Sequence, residues 1–539
     1  MSVDGLRDAL LQGLKGLPGS REFHVHVLVS SPRKHTGLFP FAIPKQRAYL
    51  QDILIILSEQ KTADSPRLIV AGIEANLYNI SSRSCAVLYV SKVDSTGQAT
   101  APSPTTSLVH SFLLYYADPK TRPIDANTLW IQLFARAQNQ YLFPNSSDFA
   151  GKQPLSDVRL CAWWKRVLTG VAAELSKRTD SKPTVRSFYV LPGFGQLEAE
   201  NSIRAPASAV EWAYTHPYSQ REIPLPCAPP AKDKPNLGHY IPWFDDCPKS
   251  RFLDEIAYIK GSDGVQSPPR KRRRLDSDAT EPPASLPAEK KDKEERILGE
   301  LDSVTPDEFW ERMSFRQECV AGAVTGFFSV GITSGEAEAV AGPSSHSTPE
   351  TSPGQVPAQL IKRVNTSLHT GVEFATREYA VRGTETIESA IRGLCEGLST
   401  IHAPVIPAPK PLSRAKPSSR AKPLSHAKPS SHAKPSSLVK PASHAKPPSS
   451  LKRTRDASSS SIQLDTPRTP RTPPPQNRAL PVDASPNPFP EPETSLDTYN
   501  SHIYGSVVVS NPELPPKVGV QAPVQAPVKI LAVRKKKKA

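Results

Sequence analysis

Residues 85–116 read CAVLYVSKVDSTGQATAPSPTTSLVHSFLLYY. Their order decides the fold. Cys85 to Lys92 is rich in β-branched and aromatic residues, which suit a pleated strand. The polar stretch VDSTG follows, and Gly97 in it permits close approach of another group to the backbone. Ser103 suits a helix N-cap and Pro104 the first helical position. Leu108, Val109, Phe112 and Tyr116 then recur at helical spacing. A strand that turns into a helix aims backbone N–H groups and the helix dipole at one spot. That arrangement suits either an ordinary strand-to-helix turn or an anion site for a nucleotide-like pyrophosphate.

Working outward, FHVHVLV (23–29) alternates in period two and reads as a half-buried strand. DILIILSE (52–59) and RLIVAGIEANLY (67–78) also read as strands, although the first suits a helix as well. LWIQLFA (129–135) is another strand. LSDVRLCAWWKRVLTGVAAELSK (155–177) is a helix with Leu160, Cys161, Trp164, Val167, Leu168, Val171 and Leu175 as its apolar stripe. Trp163 points off that stripe. TPDEFWERMSFRQECV (305–320) starts a helix with Thr305, Pro306 and Glu308 in a capping-box arrangement. TETIESAIRGLCEGLS (384–399) is a last helix. Strands interspersed with helices make a mixed α/β (α+β) domain, expected over residues 1–402, with charged or Ser/Pro-rich inserts at about 262–295 and 336–358.

Residues 403–539 are mostly Pro, Ser, Ala and Lys, a composition that cannot bury enough apolar surface to fold. Within this expected disordered tail, Lys416, Lys422, Lys428, Lys434, Lys440 and Lys446 recur in strict period six, each followed by proline. Evenly spaced lysines on an extended chain suit a polyphosphate such as DNA, or merely a repeat-expanded linker. The chain carries 67 basic and 52 acidic residues, a net charge of +15, which favours acidic or polyanionic partners. Arg270, Lys271, Arg272, Arg273 and Arg274 form a basic run of nuclear-import type. Six cysteines show no Cys-x-x-Cys pair and no zinc spacing, so a reduced compartment without a structural metal is expected. The N-terminal twenty residues lack a signal-peptide apolar core, and no run approaches membrane-spanning length.

No serine-hydrolase elbow, P-loop or His-Glu-x-x-His occurs. LFARAQNQYLFPNSS (133–147) instead sets Arg136, Gln138 and Gln140 in an apolar run, where polar groups need a cofactor or a core network as partner. IPWFDDCPKSRF (241–252) places acids among aromatics. It is either a solvated turn or a desolvated carboxylate able to take a proton from an ammonium group.

Together YVSKVDSTG, FARAQNQYLFPNSS, LSDVRLCAWWK, IPWFDDCPKSRF and EFWERMSFRQE resemble, in this order, the fungal histone H3 lysine acetyltransferase family known as the regulator of Ty transposition family. The resemblance implies a p300/CBP-like acetyltransferase domain: a central mixed sheet wrapped by helices, with acetyl-CoA as substrate and no metal. It implies acetyl transfer to lysines of newly made histone H3, chiefly the core-entry helix lysine, with histone chaperones of the anti-silencing function and NAP-like classes. Replication-coupled nucleosome assembly, the DNA damage response and a nuclear location follow from the same likeness. Val93, Asp94 and Ser95 match one acetyl-CoA segment, and Ala101, Pro102, Ser103, Pro104 and Thr105 a second. Phe134, Arg136 and Gln138 match further cofactor contacts, and Gln153, Pro154 and Leu155 a loop closing over the cofactor. Tyr141 matches a tyrosine beside the substrate channel. Trp163 and Trp164 match paired tryptophans, the second beside the target lysine. Where the family reads Asp-Asp-Pro-Lys, this chain reads Asp245-Asp246-Cys247-Pro248-Lys249. Lys249 takes the place of the lysine that the family acetylates on itself. Cys247 replaces the acid usually given the proton, which leaves Asp245, Asp246 or no single base for that role. The contrasting reading is a non-catalytic chromatin or nucleic-acid binding protein acting through its basic tail.

Overall fold

The computed structural model describes residues 5–178, 183–204, 210–227, 236–258, 299–316, 319, 323–334, 352–397 and 495–513. The basic run 270–274, the lysine–proline repeat and most of the tail lie outside them. The expected strands form as β1 (Gly19–Ser30), β3 (Ala48–Gln60), β4 (Leu68–Ile80), β5 (Cys85–Ser95) and β6 (Thr128–Ala135). The structure adds β2 (Arg33–His35), β7 (Thr184–Val190), β8 (Trp212–Ala213), β9 (Gly326–Thr333), β10 (Gln355–Val356) and β11 (Tyr504–Asn511). They make one mixed sheet in the order β10-β1-β3-β4-β5-β6-β9-β7-β8, with β11 also on β1 and β2 on β3.

β5 and β6 run parallel, joined through helix α2 (Thr105–Ala117) after α1 (Leu6–Leu14). Parallel neighbours need such a crossover. Around them alternate residues part into two cores. Ala86, Leu88 and Val90 of β5 and Leu129, Ile131 and Leu133 of β6 join Leu108, Val109 and Phe112 of α2. Val167, Leu168 and Val171 of α3 (Asp157–Ser176) complete that layer. Cys85, Val87 and Tyr89, with Trp130 and Phe134, face the second core. It is closed by Phe244, by α5 (Pro248–Tyr258), which follows the short α4 (Gln196–Ser202), and by α6 (Pro306–Met313). Each fully buried Leu or Phe contributes roughly 1.5–3 kcal/mol. Thr305 caps α6 as expected, its side chain accepting from the Glu308 N–H. The last helices, α7 (Ala358–Thr370) and α8 (Arg377–Gly397), cover the β3 and β4 end with Leu360, Val364, Ile387 and Ile391.

Three expectations change. The cap of α2 falls on Pro104 itself, whose carbonyl accepts from Leu108 N–H at 2.9 Å, while the Ser103 hydroxyl meets the Thr105 hydroxyl at 3.0 Å and its N–H at 3.4 Å. The insert expected to 358 ends sooner, because Gln355–Val356 pairs with β1. The tail is not unbroken either. Ser495–Asn511 turns back as a short helical stretch and β11, pairing with β1 from Gly19↔Asn511 to His26↔Tyr504. There the buried His24 and His26 rings meet the Tyr504 and Tyr499 hydroxyls, each at 3.0 Å. SVVVS is a good strand sequence, but it follows so long a Pro-rich stretch that composition hides it.

Candidate active site

The pairing of β5 with β6 begins at Cys85↔Thr128 and stops at Tyr89↔Gln132, although both strands continue. Ser91 is the extra residue of a bulge where the β4–β5 register shifts. Its hydroxyl donates to the Glu74 carbonyl at 2.9 Å. A bulge bends and twists its strand, here away from β6. The parted C-terminal ends of two parallel strands are where open α/β sheets hold ligands.

The last paired residues hold two titratable side chains of the 241–252 stretch. The Tyr89 hydroxyl donates to Asp246 Oδ1 at 2.7 Å. The Tyr89 ring stacks on Phe244 at 3.8 Å and 3°. Gln132 Oε1 accepts from Lys249 Nζ at 3.0 Å, and that ammonium lies 5.0 Å over the Phe244 ring. Tyr89, Gln132, Phe244, Cys247, Lys249, Trp310 and Phe327 line one recess. Burial raises the Asp246 carboxyl above the usual range and lowers Lys249 to about 8. Burial also pushes the Cys247 thiol up to about 11, which keeps it protonated and a poor nucleophile. Asp245 is exposed. The opening acids thus separate: Asp246 turns to Tyr89 and Asp245 to the surface. Pro248 begins α5, so the stretch read as a turn is a helix start. The Ser250 hydroxyl accepts from the Phe244 N–H at 2.7 Å and pins the entry.

Asp94 organises the rim. Its Oδ2 accepts from the N–H groups of Tyr141, Leu142 and Phe143 at 2.7, 2.9 and 3.3 Å. Its Oδ1 accepts from Ser95 N–H at 2.8 Å and from Lys152 Nζ at 2.9 Å. Gly97, at φ +78°, has no room for a Cβ because Lys152 Cα would stand 2.6 Å from it. The close approach foreseen at Gly97 is therefore that of the chain's own 151–152 segment. Trp163 Nε1 donates to Thr106 Oγ1 at 3.0 Å, tying α3 to the first turn of α2, which carries no acid. Around this rim Ala101, Ser103, Gln138, Gln153, Pro154 and Leu155 are exposed, while Val93, Ser95, Pro102, Thr105, Phe134 and Arg136 are half-buried. The segments singled out in the sequence are thus brought together, most of them through backbone and linking side chains. Pro104 is buried as the cap. The Tyr141 hydroxyl donates to the Arg136 carbonyl, and burial pushes it up to about 12.

Trp164 stands apart. It is 5% exposed in the core against α2, its ring 4.8 Å from Trp163 and edge-on to it. Asp246 and Lys249 belong to the opposite face. Sequence reading missed Tyr89, Gln132, Phe244, Lys152 and Trp310. Tyr89, Phe244 and Trp310 lay inside quoted motifs without being singled out, and Gln132 carried a signal as a lone amide within LWIQLFA.

Residues 120–390, half of the chain, match the family model of the histone acetyltransferase KAT11-type domain. The histone acetyltransferase rtt109 of Aspergillus flavus is 29% identical over 345 residues, covering 58% of this chain and 54% of that protein. The protein of the same name from Schizosaccharomyces pombe is 23% identical over 319 residues, covering 58% and 68%. The chain therefore spans about half the length of the first of these relatives. The crystal structure of Rtt109 from Aspergillus fumigatus is similar with a TM-score of 0.52 and 23% identity, over 72% of this chain and 96% of that one, a likeness of fold. By the span that matches, the chain belongs to the histone acetyltransferase KAT11-type family.

Proposed function

We propose that this protein transfers acetyl from acetyl-CoA to histone lysines. The observation that carries the reading is the end of β5–β6 pairing at Tyr89↔Gln132, with Asp246 and Lys249 held on those two side chains. The parted strands leave backbone amides that suit the amide-rich arm of coenzyme A. The first turn of α2 suits its phosphates, since the helix end is positive and carries no acid. The exposed 101–103 and 153–155 segments, with the Trp163 ring, form the walls of that groove.

The neutral ε-amine of the incoming lysine attacks the thioester carbonyl, the C–S bond breaks, and coenzyme A leaves as a thiolate that takes up a proton from solvent. Asp246 takes the amine's proton. A raised carboxyl is the better base near neutral pH, and the Tyr89 hydroxyl fixes its direction. Cys247 forms wall. Lys249 is itself a substrate in this reading: acetylation removes a buried charge that has no carboxylate partner among the described residues, and leaves an amide facing the Gln132 amide. We assign core-entry helix lysines of newly made H3 as the main target, presented by chaperones of the anti-silencing function or NAP-like class. We assign a nuclear site of action, with 270–274 as import run, and roles in nucleosome assembly and DNA damage response, all on family resemblance.

The test is acetyl transfer by purified protein to H3–H4 with an anti-silencing chaperone, alongside calorimetry with acetyl-CoA. Absence of both transfer and binding sinks the enzyme reading and favours a chromatin-binding protein.

A further inference from the structure

Resting on the histone-acetyltransferase reading, we infer that the surface carrying Leu197 and Phe315 docks a basic peptide with apolar side chains beside the acceptor recess. These two side chains are 75% and 79% exposed, the highest values among the large apolar residues described. Solvent exposure of that degree is unremarkable for a single residue, so what counts is that the two stand on segments that touch. They do: the Gly193 turn, at φ +90°, meets the Ser314 carbonyl at 4.0 Å from an ideal Cβ. Phe315 follows Ser314, and Leu197 is the second residue of α4, four residues after Gly193.

The surface adjoins the recess through short links. Trp310, which lines the recess, is on α6, four residues before Ser314, where that helix ends. Its ring packs 5.0 Å from Phe327, and Leu191, just before the turn, would lie 3.0 Å from a Cβ on Gly326. These links put the face within reach of a peptide whose lysine enters the recess.

Charge fixes the occupant. Glu198, Glu200, Asp307 and Glu311 are exposed on α4 and α6, and Asp302 lies just before α6. Against them stand Arg204, Arg312 and Arg316. Arg312 is held by Glu300 and Glu308, and Arg316 by both oxygens of Glu255. An acidic apolar face is complementary to a basic peptide.

The experiment uses the full chain and a fluorescein-labelled basic H3 N-terminal peptide, followed by anisotropy and by acetyl transfer. Variants are Leu197→Ser with Phe315→Ser, and Glu198→Lys with Glu311→Lys. The apolar pair should weaken peptide binding and raise its KM about tenfold. The charge pair should do the same at low salt and lose most of the effect at high salt. The KM for acetyl-CoA stays put in both. Peptide binding within twofold of the parent in both variants overturns the inference. A parent that binds peptide yet transfers no acetyl group removes the enzyme reading and leaves the docking surface, so the two failures are distinguishable.

Discussion

Two buried lysines hold opposite ends of the site, and they are built differently. Lys152 donates to the Asp94 carboxylate and the Ser146 hydroxyl, at 2.9 and 2.8 Å. Lys249 donates to the Gln132 amide and lies over the Phe244 ring. Both side chains are nearly inaccessible. At the rim the ion is matched by an ion, and the same Asp94 carboxylate gathers three consecutive loop N–H groups. In the recess the ammonium faces an amide and a ring, an environment in which it can give up its proton. Burial with a counter-ion makes architecture, and burial without one makes a group that titrates near neutrality.

The strongest way to break this contrast is Asp94→Ala. It orphans three loop amides and a buried ammonium at once, so unfolding stability should fall by about 3–5 kcal/mol. Acetyl-CoA binding should fall with it. Urea denaturation checks the first and calorimetry the second, and a loss below about 1 kcal/mol would show that Lys152 and the loop find other partners.

Chain truncation comes next. Ending the protein at residue 494 strips Tyr499, Ile503 and Val509 from the β1 edge and should cost about 3 kcal/mol. Ending it at 513 should cost little. Equal thermal midpoints for the two truncations would deny β11 its place in the domain. The histidines of that edge share the logic of Lys249: burial lowers His26 to about 4, so stability from this contact is present above pH 6.5 and lost as pH falls toward 4.

Asp246→Asn tests the proton path. The Tyr89 hydroxyl can still donate to the amide oxygen, so the fold should persist while kcat falls about a hundredfold. The acid limb of the pH–rate profile, set above ordinary carboxylates by burial, should vanish. Cys247→Ala should leave both nearly intact. The opposite pattern would move the role to the thiol.

The smallest effect is expected at Lys249. Its folded value of about 8 lies below the 10.5 of a free lysine. Between those values the unfolded chain binds more protons, so stability rises with pH across that window, and below about 8 the full penalty of a buried ammonium remains. Lys249→Gln should raise stability at pH 7 by about 1 kcal/mol and flatten the rise. Lys249→Arg, which cannot shed its proton, should destabilise at every pH. A rise of equal steepness in the glutamine variant would assign it to another group.

Much of the frame was legible in the sequence. Strands β1 and β3 to β6, and helices α2, α3, α6 and α8, are written in local periodicity, which depends only on which side chains face solvent. The family motifs marked Asp94, Trp163, Asp246 and Lys249 by number. Short or broken elements escaped: β7 and β9 depend on neighbours for their pairing, and β11 is isolated by the tail. Cap position moved by one residue, within the ordinary uncertainty of helix ends.

The sequence by itself determined that a mixed α/β domain with an acid-rich aromatic turn exists, because apolar periodicity and residue order survive unfolding. Only the tertiary structure decided which acid turns inward and what Asp94 holds together. Tyr89 and Asp246 are 157 residues apart, and Gln132 and Lys249 are 117 apart. A hydrogen bond across such a distance in the chain exists only once the sheet brings its partners to 3 Å, and burial then sets which of them holds a proton.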